Sequence, residues 1–431
     1  MSRRSIVILA VLVILGAWGL RHAFESTPVV AAGTHLPSTT LCPRFGLNPP
    51  QRLPVVHDAV SISFDGSRLV AVDRQGRVWS YYRGESNCDD PAPIKVLDAA
   101  IVAKQHLGTG APRAVERSAV LLDGTALAAV DLGMPNACAT AGNICATAPS
   151  GGFDNVTALA AGDRHRLLVR GDGSLWSSGM NECGQLGRAG ASGSLVDFRQ
   201  VPGMDGIVAV AAGMRSSMAL DAKGTMYTWG NLSNPLFSSP VSSPVAGNPY
   251  CPYQDQTWAG HLLSGASDDY PREVRGLPRI EQVASYYASD LALDTAGQVW
   301  GWGYNSCGQL GVDPGQGPER IEYYLEQPRR IEGLPPIRAI AAGKRHALAL
   351  DGNGQVWAWG ENADTELGQR LGLGQHGSPA CENEYGRGER APFTELPRQV
   401  PGIGKAVAIA AGYNSSAAID AHGDVWVWGR H

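Results

Sequence analysis

The chain has 431 residues and a formal net charge of −5. A general nucleic-acid binder needs a basic surface to displace counterions, so this charge argues against nucleic acid as a partner. The 54 glycines and 28 prolines occur without low complexity, which indicates many turns and hence many short strands.

The N-terminal residues have the pattern of a targeting segment. Arg3 and Arg4 precede an uncharged run over residues 5–20, and Arg21 ends that run. A helix of this length spans about 24 Å, slightly less than a hydrocarbon core of about 30 Å, so residues 1–20 are predicted to be a signal anchor or a signal peptide. No small-residue cleavage site adjoins the run, which favours an anchor in the membrane.

This interpretation makes residues 21–40 a linker and places the remainder of the chain outside the cytoplasm. An anchored chain would face outward from the inner or plasma membrane. If the signal is cleaved, the protein would instead be secreted or periplasmic.

Several copies of one sequence repeat occupy the rest of the chain. Its strongest copies cover residues 159–179, 210–230, 283–303, 340–360 and 409–429, and two weaker copies precede them. The position that usually holds tryptophan recurs at Trp79, Leu127, Trp176, Tyr227, Trp300, Trp357 and Trp426. Repeats of this length indicate an all-β fold, a seven-bladed β-propeller over residues 41–431.

Each part of the repeat has a physical reason, and residues 340–360 show it most clearly. Ile-Ala-Ala-Gly is small, as an innermost strand near a crowded axis must be, and His-Ala-Leu-Ala-Leu alternates like a half-buried second strand. Asp-x-x-Gly is typical of the tight turn of a β-hairpin, because Asp can cap the turn and Gly can adopt the positive φ that closes it. Val-Trp-x-Trp is the third strand, and its two tryptophans share one face and wedge between blades.

The chain ends directly after a third strand, so the last blade lacks its outer strand. Residues 51–56 match the pattern of that missing strand. We therefore expect the N-terminal strand to complete the C-terminal blade and close the ring, because closure removes an exposed sheet edge.

At these residues the sequence resembles the regulator-of-chromosome-condensation repeat family. The motif Ala-Ala-Gly-x-x-His-x-Leu-Ala-Leu-Asp-x-x-Gly-x-Val-Trp-x-Trp-Gly is followed by an Asn-x-Cys-Gly-Gln-Leu-Gly tail at residues 181–187 and 305–311, and residues 361–368 are a looser copy of the tail. The resemblance implies a seven-bladed propeller. The family's nuclear founding member is an exchange factor for a small GTPase, and a secreted bacterial member inhibits β-lactamases with one propeller face; neither interface is matched here residue by residue.

The cysteines fall in the loops between third and outer strands. They are Cys42, Cys88, Cys138, Cys145, Cys183, Cys251, Cys307 and Cys381. An even count in an exported chain suggests disulfides. Pairing in chain order would link neighbouring loops: Cys42–Cys88, Cys138–Cys145, Cys183–Cys251 and Cys307–Cys381. Partly buried free thiols are the alternative.

A candidate partner-binding site lies in the loops that join first and second strands. Aligned on the Asp of the turn, one loop position holds arginine in four of the seven blades: Arg117, Arg164, Arg215 and Arg345. Clustered guanidinium groups in a concave mouth would attract an acidic partner. Alternatively, each arginine pairs with an acidic residue and braces its blade. Aromatic residues of the long insertions could form the rim or simply pack the loops: Tyr250, Tyr253, Trp258 and Tyr385.

The leading functional hypothesis is an extracytoplasmic protein-interaction module that uses one propeller face. A glycan- or cell-wall-binding module is the alternative, and a propeller hydrolase or lyase is a third. The sequence carries no catalytic, cofactor or metal-binding motif that fits its context. His165 and His346 begin second strands, where bonding to nearby backbone is favoured over catalysis.

Overall fold

The computed structural model describes residues 50–53, 56–65, 68–74, 77–81, 94–95, 118–120, 126–128, 156–162, 165–179, 181, 183–188, 196–232, 257–258, 261–262, 266–287, 289–313, 324–362, 366–368, 381 and 392–429. Every regular element in these ranges is a β-strand. The strands form the predicted seven-bladed propeller, in which the strands within each blade are antiparallel.

The strands of each blade run in order from the axis outward. Blade one contains Ala59–Asp65, Arg68–Asp73, Arg77–Tyr81 and Ile94–Lys95, and blade two contains Ser118–Val120 and Ala126–Ala128. Blade three contains Val156–Ala161, His165–Arg170, Leu175–Gly179 and Val196–Gln200. Blade four contains Ile207–Ala212, Ser216–Asp221, Met226–Leu232 and Ala266–Glu273, with a small hairpin, Thr257–Trp258 and His261–Leu262, in its insertion.

The later blades follow the same order. Blade five contains Ile280–Tyr286, Ser289–Asp294, Val299–Tyr304 and Tyr324–Arg330, and blade six contains Ile337–Ala342, His346–Asp351, Val356–Glu361 and Phe393–Gln399. Blade seven contains Ala406–Ala411, Ser415–Asp420, Val425–Gly429 and, as its outer strand, Gln51–Arg52.

The ring closes as the sequence predicts. Gln51 pairs with Val427 and Arg52 with Trp426, and the Leu53 amide donates to the Val425 carbonyl at 2.8 Å. Leu53 is almost completely buried among blade-seven residues. The N-terminal strand is therefore an integral part of the last blade.

The hairpin between second and third strands uses the Asp of the repeat as a local cap. In blade four, Asp221 accepts the amides of Lys223 and Thr225 at 2.9 and 2.8 Å, and Gly224 has a φ of +86°. In blade seven, the first tryptophan of the third strand, Trp426, also donates its indole N–H to the Asp420 carboxylate at 2.9 Å. These bonds explain why Asp, Gly and Trp recur together.

In blades four, six and seven the second tryptophan of the third strand bonds to the preceding blade. Trp359 of blade six donates to the Gln309 carbonyl of blade five at 2.9 Å. Trp428 of blade seven donates to the Glu366 carbonyl of blade six at 2.7 Å. Both indoles are buried, so each bond is made away from water. The wedging predicted for these tryptophans is thus combined with a directional hydrogen bond to the tail of the preceding repeat.

The two histidines also join blades. His165 Nε2 lies 2.8 Å from the Ser217 hydroxyl of the next blade, and His346 Nε2 lies 3.0 Å from the Ser416 hydroxyl. Ser416 in turn donates to the Glu366 carbonyl at 3.0 Å, so the imidazole must act as the donor to the serine. Burial lowers the pKa of His346 to about 4, which keeps the ring neutral. His346 also has the expected hydrogen bond to backbone, at Ser415, and the contact of Nε2 with a serine side chain of the next blade is additional to it.

The structure pairs Cys307 with Cys381, one of the four predicted disulfides. Both residues are buried, and the bond ties the blade-five tail to the insertion of blade six across 74 residues of sequence. Cys183 is also disulfide-bonded, and no cysteine in the described part of the chain is free. The predicted partner of Cys183, Cys251, lies outside the described residues, as do Cys42, Cys88, Cys138 and Cys145.

The predicted targeting segment and linker, residues 1–40, lie outside the described residues. Within the described ranges, no helix is long and apolar enough to cross a membrane.

Candidate partner-binding mouth

The loops that join first and second strands meet at one end of the propeller axis, and we call this end the mouth. Two backbone hydrogen bonds connect loops of adjacent blades. The Met214 amide donates to the Tyr287 carbonyl at 3.0 Å, and the Lys344 amide donates to the Gly412 carbonyl at 3.1 Å. Side chains from successive blades are therefore brought within contact of one another here.

Arg345 is held by an ion pair inside the mouth. Its Nη1 lies 3.7 Å from Glu361 Oε1, and the side chains are 15% and 6% exposed. Glu361 also donates its backbone amide to the Arg345 carbonyl at 2.8 Å. This contact is the bracing interaction that the sequence left open as the alternative to partner binding.

Glu361 connects this ion pair to the disulfide. Its carboxylate and the sulfur atoms of Cys307 and Cys381 lie within 4.8 Å of one another. The sulfurs are bonded to each other, so they offer no thiolate to a metal ion. The arrangement fixes the carboxylate, and through it Arg345, against a rigid part of the fold.

Arg215 occupies the equivalent position in blade four. Its Nη1 lies 3.8 Å from Cys183 Sγ, the cysteine of the preceding blade's tail. Its side chain is half-buried. Arg117 and Arg164, the other two predicted mouth arginines, lie outside the described residues.

Lys344 forms the centre of a second cluster. Its ammonium donates to the Tyr413 hydroxyl and lies 3.7 Å from the Tyr413 ring centroid and 5.7 Å from that of Tyr287. Only 3% of the residue is exposed. Three blades contribute to this cluster, because Tyr287, Lys344 and Tyr413 come from blades five, six and seven.

The electrostatics of the cluster follow from its burial. Burial, helped by the charge of Arg345 and opposed by Glu361, lowers the pKa of Lys344 to about 7. Burial also raises the pKa of Tyr413 to about 12, although Arg345 acts in the opposite direction. Lys344 therefore changes its charge near neutral pH, while Tyr413 stays a neutral phenol.

Sequence reasoning missed Lys344, Tyr287 and Tyr413. They lie one residue before the aligned arginine position, so the alignment of repeats includes them. Because residue types differ between blades at their position, the alignment alone does not mark it as functional. Tyr250, Tyr253 and Tyr385 lie outside the described residues. Trp258 belongs to the small hairpin in the blade-four insertion.

Comparisons with known proteins agree with this architecture. A family model described as "Regulator of chromosome condensation (RCC1) repeat" matches residues 296–350 and 353–419. A second model of that description matches residues 156–185, 280–309 and 337–366.

Curated relatives are similar to this chain over about half of its length or more. Human "Probable E3 ubiquitin-protein ligase HERC6" is 32% identical over 228 residues, covering 51% of this chain and 19% of that protein. The mitochondrial RCC1 domain-containing protein RUG3 of Arabidopsis thaliana is 27% identical over 306 residues, covering 60% of this chain and 62% of that protein. The chain thus spans less than two thirds of the length of either relative.

Solved structures show the same fold. Prp20p of Saccharomyces cerevisiae aligns with a TM-score of 0.57 at 16% identity, over 86% of this chain and 83% of that one. Human WBSCR16 aligns with a TM-score of 0.57 at 17% identity, over 88% of each chain.

Proposed function

From the premise that this chain belongs to the regulator of chromosome condensation (RCC1) repeat family, we propose that it is an extracytoplasmic protein-interaction module. Its partner docks on the propeller face that contains the mouth. Prp20p, which shares the fold, is described with its binding to Gsp1p and histones, so protein binding has a precedent on this scaffold. A shared fold does not carry over a partner, so the partner of this chain must be inferred from its own residues.

One observation carries the proposal: the mouth combines arginine, lysine and tyrosine side chains from successive blades. Arg215, Lys344 and Arg345 all lie at the mouth, where Glu361 pairs with Arg345. Arginine and tyrosine are the residues that most often dominate binding energy at protein interfaces. A concave site with low-dielectric walls focuses the positive potential, which favours an acidic partner.

The mouth is tested by a double substitution that spares its buried centre. Arg215→Ala and Tyr287→Ala remove two half-buried side chains, while Lys344 and Glu361 stay in place. The tagged chain is purified from solubilised membranes, and the co-purifying proteins are identified by mass spectrometry. We expect a partner that the wild-type chain captures and the double variant loses.

The matched control is Arg330→Ala, which removes an exposed arginine that pairs with Glu332 on an outer strand. This variant should retain the partner. If the double variant captures the same proteins as the wild type, the mouth is structural and the proposal is wrong. Circular dichroism must show that both variants remain folded.

The extracytoplasmic location rests on the N-terminal sequence and on cysteine chemistry. Disulfides persist in oxidising compartments, and Cys183, Cys307 and Cys381 are all disulfide-bonded. A reporter that is active only after export, fused after Pro37, should be active. Activity of a matched cytoplasmic reporter at the same junction, with an inactive export reporter, would contradict this location.

A further inference from the structure

The opposite face of the propeller has a cleft that the proposed function does not use. It has a volume of about 300 Å³ and is lined by residues 223–226 and 273–280. These residues are the turn between second and third strands of blade four, the end of its outer strand and the link into blade five. In an up-and-down blade, this turn and this link both lie at the end away from the mouth.

Three cations line the cleft: Lys223, Arg275 and Arg279. All three are exposed, and none forms an ion pair with another described residue. Glu273 is the one acid in the lining. The cleft therefore has a local excess of positive charge on a chain whose net charge is −5.

The other blades provide an internal control. Backbone hydrogen bonds fix the equivalent positions, because an amide at or next to the start of a first strand donates to the carbonyl of the turn glycine in the preceding blade. The four amides are those of Ile207, Ile280, Ile337 and Ala406. The residues equivalent to Lys223, Arg275 and Arg279 are Asp172, Pro202 and Gly206 in blade three, Ala296, Glu332 and Pro336 in blade five, and Asn353, Pro401 and Lys405 in blade six. Of these four described sites, only that of blade four has cations at all three positions, so the repeat itself does not require them.

One of the cations is held in place by the fold. Arg279 donates through Nη2 to the Ala222 carbonyl at 3.4 Å, across the turn. A Cβ at position 224 would lie 2.3 Å from Arg279 Cγ. The absence of a side chain at Gly224 therefore provides the space that the aliphatic part of Arg279 occupies. A guanidinium that is already positioned loses less rotamer entropy when it binds an oxyanion.

We propose that this cleft binds an acidic segment of a partner protein through its carboxylates. Arginine presents donors in a planar fork that matches a carboxylate, and Lys223 adds a third positive charge from the turn. An acidic segment would be repelled by the chain as a whole, so its binding must come from this local cluster. The cleft and the mouth lie at opposite ends, so one propeller can hold two partners or two parts of one partner.

The test uses the full chain and a fluorescently labelled decaglutamate peptide, followed by fluorescence anisotropy at low ionic strength. Reversing two charges with Arg275→Glu and Arg279→Glu should weaken binding about tenfold. The matched control is Lys405→Glu, which reverses the one cation at the equivalent site of blade six and should leave binding unchanged. Binding should also weaken as salt is added.

A second variant separates binding from folding. Arg275→Glu alone should still weaken binding, because Arg275 has no hydrogen bond or ion pair to another described residue and its loss leaves Arg279 packed on the turn. Because the mouth is itself proposed to accept an acidic partner, the charge reversals at the cleft are compared in the background of the double mouth variant, Arg215→Ala with Tyr287→Ala. Peptide binding in that background reports on the cleft alone, so this inference and the proposed function fail independently.

Three results would overturn the inference. The first is equal binding by the wild type and the double-reversal variant. The second is an equal loss in Lys405→Glu, which would mean a general charge effect. The third is saturable binding of inorganic phosphate without binding of the peptide, which would make the cleft a site for small anions.

Discussion

Closure of the ring by the N-terminal strand can be tested at a single residue. Leu53 is 1% exposed and packs in a cluster that includes Val425, Val427 and Ile419 of blade seven. Leu53→Ala removes buried carbon atoms and leaves a cavity, which typically costs about 2–5 kcal/mol of unfolding free energy. The backbone bond from residue 53 to the Val425 carbonyl is kept, so the substitution isolates side-chain packing.

The repeat offers a matched comparison for this experiment. Ile331 holds the same position in the outer strand of blade five, donates its amide to the Val299 carbonyl at 2.8 Å and is 3% exposed. Ile331→Ala removes the same number of carbon atoms from a blade that is continuous in sequence. Leu396, which is 55% exposed, provides the surface control, and its replacement by Ala should cost less than about 0.5 kcal/mol.

Urea denaturation under non-reducing conditions, followed by tryptophan fluorescence, measures all three variants. We expect Leu53→Ala and Ile331→Ala to lose similar free energies of unfolding, and Leu396→Ala to match the wild type. If Leu53→Ala also matches the wild type while Ile331→Ala is destabilised, the N-terminal strand does not hold the ring closed and this reasoning is wrong.

The remaining predictions concern the inter-blade bonds, the buried lysine and the disulfides. Trp359→Phe should destabilise the fold by about 1–3 kcal/mol beyond the packing change, because it leaves the Gln309 carbonyl without its buried donor; a cost no larger than that of an exposed substitution would contradict this. Since the pKa of Lys344 is lowered to about 7, the unfolded chain holds this proton between pH 7 and 9 while the folded chain releases it, so stability should rise with pH by at most about 1.4 kcal/mol per unit. Lys344→Met should abolish that rise in urea titrations, and an unchanged slope would refute it. Peptide mapping of non-reduced protein should recover the disulfides Cys307–Cys381 and Cys183–Cys251. Recovery of Cys183 or Cys307 as a free thiol would contradict this pairing.

The sequence predicted the fold because each piece of the repeat has a local physical cause. The Asp-x-x-Gly turn, the small innermost strand and the alternating second strand depend on residues a few positions apart, and Asp221 with Gly224 shows this directly. The closing strand was also predictable, since Leu53 repeats the position of Val274 and Ile331. The periodic pattern is therefore sufficient to predict both the strands of each blade and the order of the blades around the ring.

The chemistry of the mouth could not be predicted in the same way. The lowered pKa of Lys344 comes mainly from its burial, and Tyr413, which contacts the ammonium, lies 69 residues away in sequence and meets it only when two blades pack. The acid that pairs with Arg345 is Glu361, at the end of the third strand of the same blade, whereas sequence reasoning considered acids adjacent to each arginine. Contacts between blades are set by the closed ring, and no local pattern records them.

Blade five shows how a departure from the repeat can be explained once the structural bonds are known. Asp290 occupies the position of Ser217 and Ser416, which bond to the preceding blade. It instead accepts a hydrogen bond from Ser285 at 2.6 Å, and burial raises its pKa to about 6 although Ser285 and Trp302 favour the charged form. The sequence after the third strand of blade four lacks Gly-Gln-Leu-Gly, the motif whose Gln185 supplies the carbonyl partner of Ser217 in the preceding blade.

Departures from the repeat are of two kinds, which differ in whether the fold uses them. Asp290 is buried and bonds to its own blade, so its replacement of serine serves the fold. Lys223, Arg275 and Arg279 are exposed, and the turn glycine bonds to the next blade in the same way whether these cations are present or not. Arg279 bonds to the Ala222 carbonyl only at 3.4 Å and on the surface, and the equivalent sites of other blades fold without an arginine there. Three cations that the fold does not require, gathered around one cleft, are the pattern expected of a binding site. Neutralising all three cations should therefore leave the free energy of unfolding unchanged within about 0.5 kcal/mol while abolishing binding of the acidic peptide. A large loss of stability in that variant would show that the cations belong to the fold after all.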